Sequence, residues 1–168
     1  MEKLPGDYVA GFVDGEGCFY INFRRDVRHE RKNKPVYFYW DTGFAITLRG
    51  DDKDILEKIK ISLNCGRLSF DKRGQVRYEV TDLNDLISKV VPFFDKYTLR
   101  AKKSLDYQLW KEALVILQKN RQVRVSGQRG FTKIQWDPKD AARLRIIKTD
   151  MELYKSTKAK QHKWSIEI

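Results

Sequence analysis

Tyr8-Val9-Ala10-Gly11-Phe12-Val13-Asp14-Gly15-Glu16-Gly17 reads as an apolar helix that turns glycine-rich and delivers one acid at its end. A helix that only fills a core can stop on one glycine, because a single left-handed residue satisfies the cap. Here Gly15 and Gly17 flank Glu16, so backbone can approach closely on both sides of a negative charge. Gly11 and Gly15 stand four residues apart, on one helical face without side chains. A second helix can pack on such a face nearly backbone to backbone. A carboxylate held where two helices meet is a candidate metal ligand, and magnesium prefers one or two carboxylates plus substrate phosphate. The plainer alternative is a glycine-capped core helix with an exposed Glu, and for an arbitrary GxxxG that is the better reading.

Working outward, the 168 residues suit one domain with a sizeable core, and 41% of them are hydrophobic. Lys and Arg total 34 against 23 Asp and Glu, a formal net charge of +11. That excess points to a polyanionic partner, nucleic acid first, although membranes and acidic proteins attract basic surfaces too. No apolar run is long enough to span a bilayer and no signal-peptide pattern opens the chain, so the expectation is an intracellular protein with no membrane partner. Organelle and prokaryotic cytoplasm are not separable at this level. Cys18 and Cys65 lack metal-type spacing, with only His29 and His162 to assist them. Reduced, partly buried thiols fit better than a structural zinc site.

Along the chain, Pro5 fits the first turn of a helix running to about Asp14, with Asp7 near its start. From Cys18 to Arg25 the pattern alternates: Phe19, Ile21 and Phe23 one way, Tyr20, Asn22 and Arg24 the other. A hydrophilic stretch from Asp26 to Pro35 reads as a hairpin loop, followed by an aromatic and β-branched strand from Val36 to Arg49. Gly50 ends it, and Asp51 or Asp52 can cap a helix carrying Ile55, Leu56, Ile59 and Leu63. A second hairpin spans Arg67 to Asp71 and Gln75 to Val80 around Lys72-Arg73-Gly74. Asp82 starts a helix with Leu83, Leu86, Ile87, Val90 and Val91 as its stripe; after Pro92 and a break comes a long helix from about Arg100 to Lys119. The stretch Asn120 to Thr132 is a basic loop (Arg121, Arg124, Arg129), and Asp137-Pro138 opens a helix with Ala141, Leu144, Ile147, Met151 and Tyr154. The lysine-rich end, 155–168, reads as partly disordered. The expected division is a core over 1–120 and a C-terminal basic loop, helix and tail over 121–168, packed on the same α+β domain.

The string from Val9 to Gly17 closely resembles the signature helix of the LAGLIDADG homing endonucleases, and the order α-β-β-α-β-β-α is that of the LAGLIDADG domain. The resemblance implies that fold, with an antiparallel, saddle-shaped sheet for DNA, plus C-terminal helices. It places Glu16 at the catalytic acid, holding divalent metal (Mg²⁺, or Mn²⁺ or Ca²⁺ in a structure) with the Gly15 carbonyl. Asp14 falls at a position that is usually structural. The segment Leu99-Arg100-Ala101-Lys102-Lys103-Ser104-Leu105-Asp106-Tyr107 resembles the one that brings a basic residue to the scissile phosphate, and Lys103 matches best, with Lys102 second. Leu48 stands where some relatives have Gln, which leaves the water-positioning residue unassigned. No second copy of the motif is visible. In the family, single-motif members act as homodimers on long, nearly palindromic sites. Val9, Gly11, Phe12 and Gly15 are the expected interface, since an isologous contact pairs each patch with its own copy.

A β-ribbon fits the major groove and its alternation aims every second side chain at the bases. The candidates for DNA contact are Tyr20, Asn22, Arg24, Tyr37, Tyr39, Arg49, Arg67, Ser69, Asp71, Lys72, Arg73, Arg77 and Glu79, with Tyr37 and Tyr39 equally able to pack against helices. Arg28, Arg31, Lys32 and Lys34 are expected on phosphates. The leading expectation is a metal-dependent, site-specific double-strand DNA endonuclease. The alternatives are an RNA-binding intron maturase and a DNA-binding protein of the same fold that does not cleave.

Overall fold

The computed structural model describes residues 2–27, 29, 32, 36–120 and 136–164; of residues 26, 36–38 and 154–164 it describes the backbone alone. The chain divides into two compact units, Met1–Tyr107 and Gln108–Ile168. The division falls inside a long helix, whose C-terminal end is where the sequence placed it.

The first unit opens with α1 (Gly6–Glu16), whose Val9, Ala10 and Val13 are buried. It runs directly into β1 (Gly17–Val27), which pairs antiparallel with β2 (Val36–Arg49). A single 3₁₀ turn, Gly50–Asp52, leads to α2 (Lys53–Leu63), which buries Leu56, Ile59 and Leu63. β3 (Arg67–Phe70) and β4 (Gln75–Val80) form the second hairpin, and the sheet order is β1-β2-β4-β3. Asp71 shapes that turn: one carboxylate oxygen accepts the Arg73 and Gln75 amides at 2.8 and 2.9 Å, and Gly74 takes the left-handed φ of 77° that closes it.

Strict alternation sorts the sheet into two faces. Phe19, Ile21, Phe44, Ile46, Val76, Tyr78 and Val80 are buried on one. Phe19 and Phe44 stack at 5.1 Å, and Phe94 meets both edge-on at 5.7 and 5.5 Å. Such aromatic contacts add to the burial of large apolar surfaces. The other face carries Cys18, Tyr20, Asn22, Arg24, Tyr39, Asp41, Thr47, Arg49, Arg67, Ser69, Arg77 and Glu79, brought side by side by the pairings Asn22↔Asp41, Thr47↔Arg77 and Arg67↔Glu79.

Several expectations are corrected. Phe23 is 43% exposed and lies against Trp40, because the apolar layer ends before the strand does. Neither Asp51 nor Asp52 makes a cap bond to α2; Asp51 pairs instead with Arg49 at 2.9 Å. Pro92 does not break its helix. Asp82 caps α3 (Leu83–Asp85), accepting the Asn84 and Asp85 amides, and the helix continues through a π stretch (Leu86–Val90) into α4 (Val91–Lys96). In an α ladder proline lacks a donor and collides with the carbonyl four residues back. The wider π turn, with the Val91 amide reaching back to the Leu86 carbonyl, absorbs that fault. Cys18 is exposed and only Cys65 is buried.

The long helix α5 (Lys103–Lys119) follows, starting three residues later than expected. In the second unit, Trp110, Ala113 and Leu114 of α5 are buried, as are Leu144, Ile147 and Met151 of α6 (Pro138–Trp164). Arg143 grips Glu112 through two hydrogen bonds of 2.6 and 2.7 Å, and Asp140 accepts from Asn120 at 2.7 Å. α6 runs as helix through Trp164, into the segment expected to be partly disordered. The basic loop expected over 120–132 falls outside the described residues beyond Asn120.

Candidate active site and nucleic-acid interface

Glu16 is the last residue of α1, and Gly17 is at once the helix cap and the first residue of β1. The Gly17 amide donates to the Val13 carbonyl and closes the helix. The Gly17 carbonyl accepts from the Lys103 ammonium, so a half-buried lysine from the start of α5 is tied to the residue beside Glu16. Lys102 is exposed. Asp14 fixes the same approach from the helix side: one of its oxygens accepts the Arg100 amide at 2.7 Å. That bond pins the segment leading into Lys103 against α1, which gives Asp14 a positioning part.

Glu16 lines an open cavity of about 430 Å³ with Phe12, Thr47, Leu48, Arg49, Asp52, Ile55 and Gln75. Leu48 presents an apolar wall to this cavity, while polar groups arrive from Thr47 and Gln75. Gln75 and Asp52 went unnoticed in the sequence as neighbours of Glu16. The pairing of β2 with β4, which sets Gln75 opposite Arg49, is what brings the first there.

The exposed side of α1 carries Tyr8, which is 51% exposed, with Gly11 and Gly15; Phe12 is half-buried and its ring stacks on Tyr8 at 6.4 Å. A methyl group built on Gly11 or Gly15 meets nothing within 4 Å, so both glycines border open space. Val9, expected on this face, is instead fully buried in its own chain. Its position one residue off the Tyr8 side turns it into the core.

Above the open sheet face the charges are organised. Glu79 accepts from the Tyr20 hydroxyl at 3.2 Å, from Arg77 Nε and Nη2 at 3.2 and 3.1 Å, and from Arg67 Nη2 at 3.3 Å. Burial opposes its charge, but the Arg77 and Arg67 hydrogen bonds outweigh it and hold the carboxyl below its usual range. Burial first, then the charges of Glu79 and Asp41, push Tyr20 up to about 12. Arg24 Nε donates to Asp41 at 2.7 Å. These side chains line a second open cavity of about 490 Å³ with Cys18, Asn22 and Thr81. Gly43 makes room for the arrangement, since a Cβ there would lie 2.5 Å from the Tyr20 hydroxyl oxygen.

Tyr39, Ser69, Lys72 and Arg73 are exposed, as is Lys32. The structure puts Tyr39 opposite Arg24, on the polar face and away from the helices. Arg28, Arg31 and Lys34 lie outside the described residues, as does the Tyr37 side chain. Among the described residues, no group of three or more His, Cys, Asp and Glu side chains could hold a metal, and no helix is long and apolar enough to cross a membrane.

A family model described as LAGLIDADG endonuclease matches residues 9–114. The chain belongs to the LAGLIDADG endonuclease family. The probable intron-encoded endonuclease 2 of Neurospora crassa is 29% identical over 137 residues, which is 80% of this chain and 27% of that protein. Homing endonuclease I-ApeII of Aeropyrum pernix is 31% identical over 123 residues, 70% of this chain and 67% of that one. I-SmaMI, solved bound to uncleaved DNA target in the presence of calcium ions, matches with a TM-score of 0.69 at 26% identity, over 88% of this chain and 45% of that one. The chain spans between 26% and 35% of the length of the first curated relatives it matches.

Proposed function

We propose that this chain binds double-stranded DNA on its polar sheet face and cuts one strand of a specific site at the tip of α1, a second copy of the chain cutting the other. The observation that carries the reading is the meeting of Glu16 and Lys103 around Gly17, at the edge of that face.

Phosphodiester hydrolysis needs an activated water and neutralisation of charge on phosphate and leaving oxygen. The donors at the α1 tip are all oxygen, an exposed carboxylate and the Gly15 carbonyl, a set that suits a hard divalent cation. Glu16 and Gly15 would hold Mg²⁺ there, supplying a more acidic bound water and Lewis-acid polarisation of the phosphate. The chain's own residues do the rest. Lys103, held at the Gly17 carbonyl, offers positive charge beside the reacting phosphate. Thr47 and Gln75, on the same cavity wall as Glu16, are placed to orient water in place of the side chain that Leu48 lacks. Arg73, Lys72 and Lys32 contact backbone phosphates, and the face between them reads bases.

One acid per chain is half of what a double-strand cut requires. The open Gly11/Gly15 side of α1 supplies the place for a second copy, bringing two Glu16 side chains to one two-fold axis. The target is accordingly a long, nearly palindromic site.

The test is cleavage of duplex DNA carrying the joined exon sequence of the host gene, with Mg²⁺. Wild type cuts it, and Glu16→Gln binds with similar affinity while cutting at least about a hundredfold more slowly. Cutting at the wild-type rate by Glu16→Gln removes Glu16 from the chemistry.

A further inference from the structure

Resting on that reading, we propose that Arg77 is a fixed reader of guanine in each half of the DNA target, and that Glu79, Tyr20 and Thr47 are positioning residues which hold its guanidinium rather than reading bases themselves. A guanidinium has five N–H donors in a planar fork. In Arg77 three are engaged within the protein: Nε and one N–H of Nη2 on Glu79, and one N–H of Nη1 on Thr47 at 3.1 Å. One donor remains on each terminal nitrogen. Two adjacent N–H groups are what N7 and O6 of guanine accept in the major groove, where arginine makes the commonest specific contact.

The group is also held from below, its central carbon 6.0 Å from the Tyr20 ring centroid. Its side chain stays 40% exposed, against 16% for Glu79. So the arginine faces outward while the acid that grips it faces the sheet. Both Glu79 oxygens are already committed, Oε1 to Tyr20 and Arg77 and Oε2 to Arg67. That leaves Glu79 poorly placed to accept from cytosine or adenine. Ordering a long arginine on binding costs conformational entropy, and this arrangement meets that cost before DNA arrives. Two other arginines on the face reach an acid on a neighbouring strand by one bond each, Arg24 to Asp41 and Arg67 to Glu79, and at 56% and 73% exposed they are freer to adapt.

The experiment is selection of bound duplexes from a random-sequence DNA pool by the full chain, followed by base preferences at every position. Wild type selects a site with a required G·C pair in each half. Arg77→Lys keeps the charge and much of the bulk but loses the fork; it binds that site with little loss and its G preference at one position per half falls about tenfold or more. Glu79→Gln blurs that same position, and Glu79→Asp restores part of it. Unchanged preferences in Arg77→Lys overturn Arg77 as the reader. A position blurred by Arg77→Lys but untouched by Glu79→Gln overturns the holding role. Wild type selecting no sequence at all instead defeats the DNA-endonuclease reading itself.

Discussion

At the scale of single residues, three phenols report on how the molecule is held. Burial and the acids Glu79 and Asp41 raise Tyr20 to about 12; burial and the neighbouring Cys65 raise Tyr78; burial and a hydrogen bond to Asp95 raise Tyr107. Each raised value means that the folded state holds its proton more tightly than the unfolded chain, whose phenols ionise near 10. The stability from these groups is therefore fully present below pH 10 or so and is lost as pH climbs from there through the folded values. The expected outcome of an alkaline titration followed by phenolate absorbance is that Tyr20, Tyr78 and Tyr107 ionise late, and that Tyr20→Phe removes a step near pH 12. A Tyr20 that ionises near 10 would show that Glu79 does not sit against it. In the other direction the lowered Glu79 carboxyl keeps the arginine network intact until pH falls below the ordinary carboxylate range, where protonation releases Arg77 and Arg67 together.

At the scale of elements, the junction between α1 and β1 admits no slack. A Cβ on Gly17 would lie 2.5 Å from a Val13 methyl and 2.8 Å from the Val13 carbonyl oxygen, and backbone does not yield as a side-chain tip does. Gly17→Ala is expected to lower stability by about 1–3 kcal/mol in denaturant melts. It should reduce cleavage more than DNA binding, because the shift falls on Glu16 and Lys103 and spares most of the sheet face. Equal losses in both would place the strain elsewhere. The same junction explains what the sequence made legible. β2 and β4 run where alternation and turn glycines put them, and the glycine-flanked Glu16 and the Lys103 segment carried the motif in local order. Phe23, Pro92 and Glu79 were opaque for non-local reasons. Phe23 depends on where the helical layer stops, Pro92 on a π turn invisible to periodicity, and Glu79 on a register that sets it between Ala45 and Arg67. Val9 is opaque because the glycine spacing marks a face without saying which neighbours turn inward.

At the scale of the whole molecule, the net charge of +11 and the empty glycine face make separate demands. On the proposed reading, charge draws the chain to DNA of any sequence, with an affinity that falls steeply as salt rises. Pairing two acids across a scissile site would need the proposed α1 contact. Gly11→Leu with Gly15→Leu disturbs nothing within its own chain, since both positions border open space, and replacing glycine inside a helix favours the helix. The double variant is expected to melt no lower than wild type, to sediment as a monomer and to lose double-strand cutting. A variant that still sediments as a dimer would move the interface off α1.

Gly17 joins these scales through a single peptide unit. Its amide ends the motif helix, its carbonyl anchors Lys103, and its strand pairing with Ile46 begins the sheet. The acid and the lysine thus share one anchor at the end of the sheet, while the side chains proposed to meet bases lie further along the strands. On the proposed reading, target preference and cutting are separable: the recognition face could be rewritten residue by residue, as a natural lineage or an engineer would do to reach a new site, with Glu16 and Lys103 left untouched.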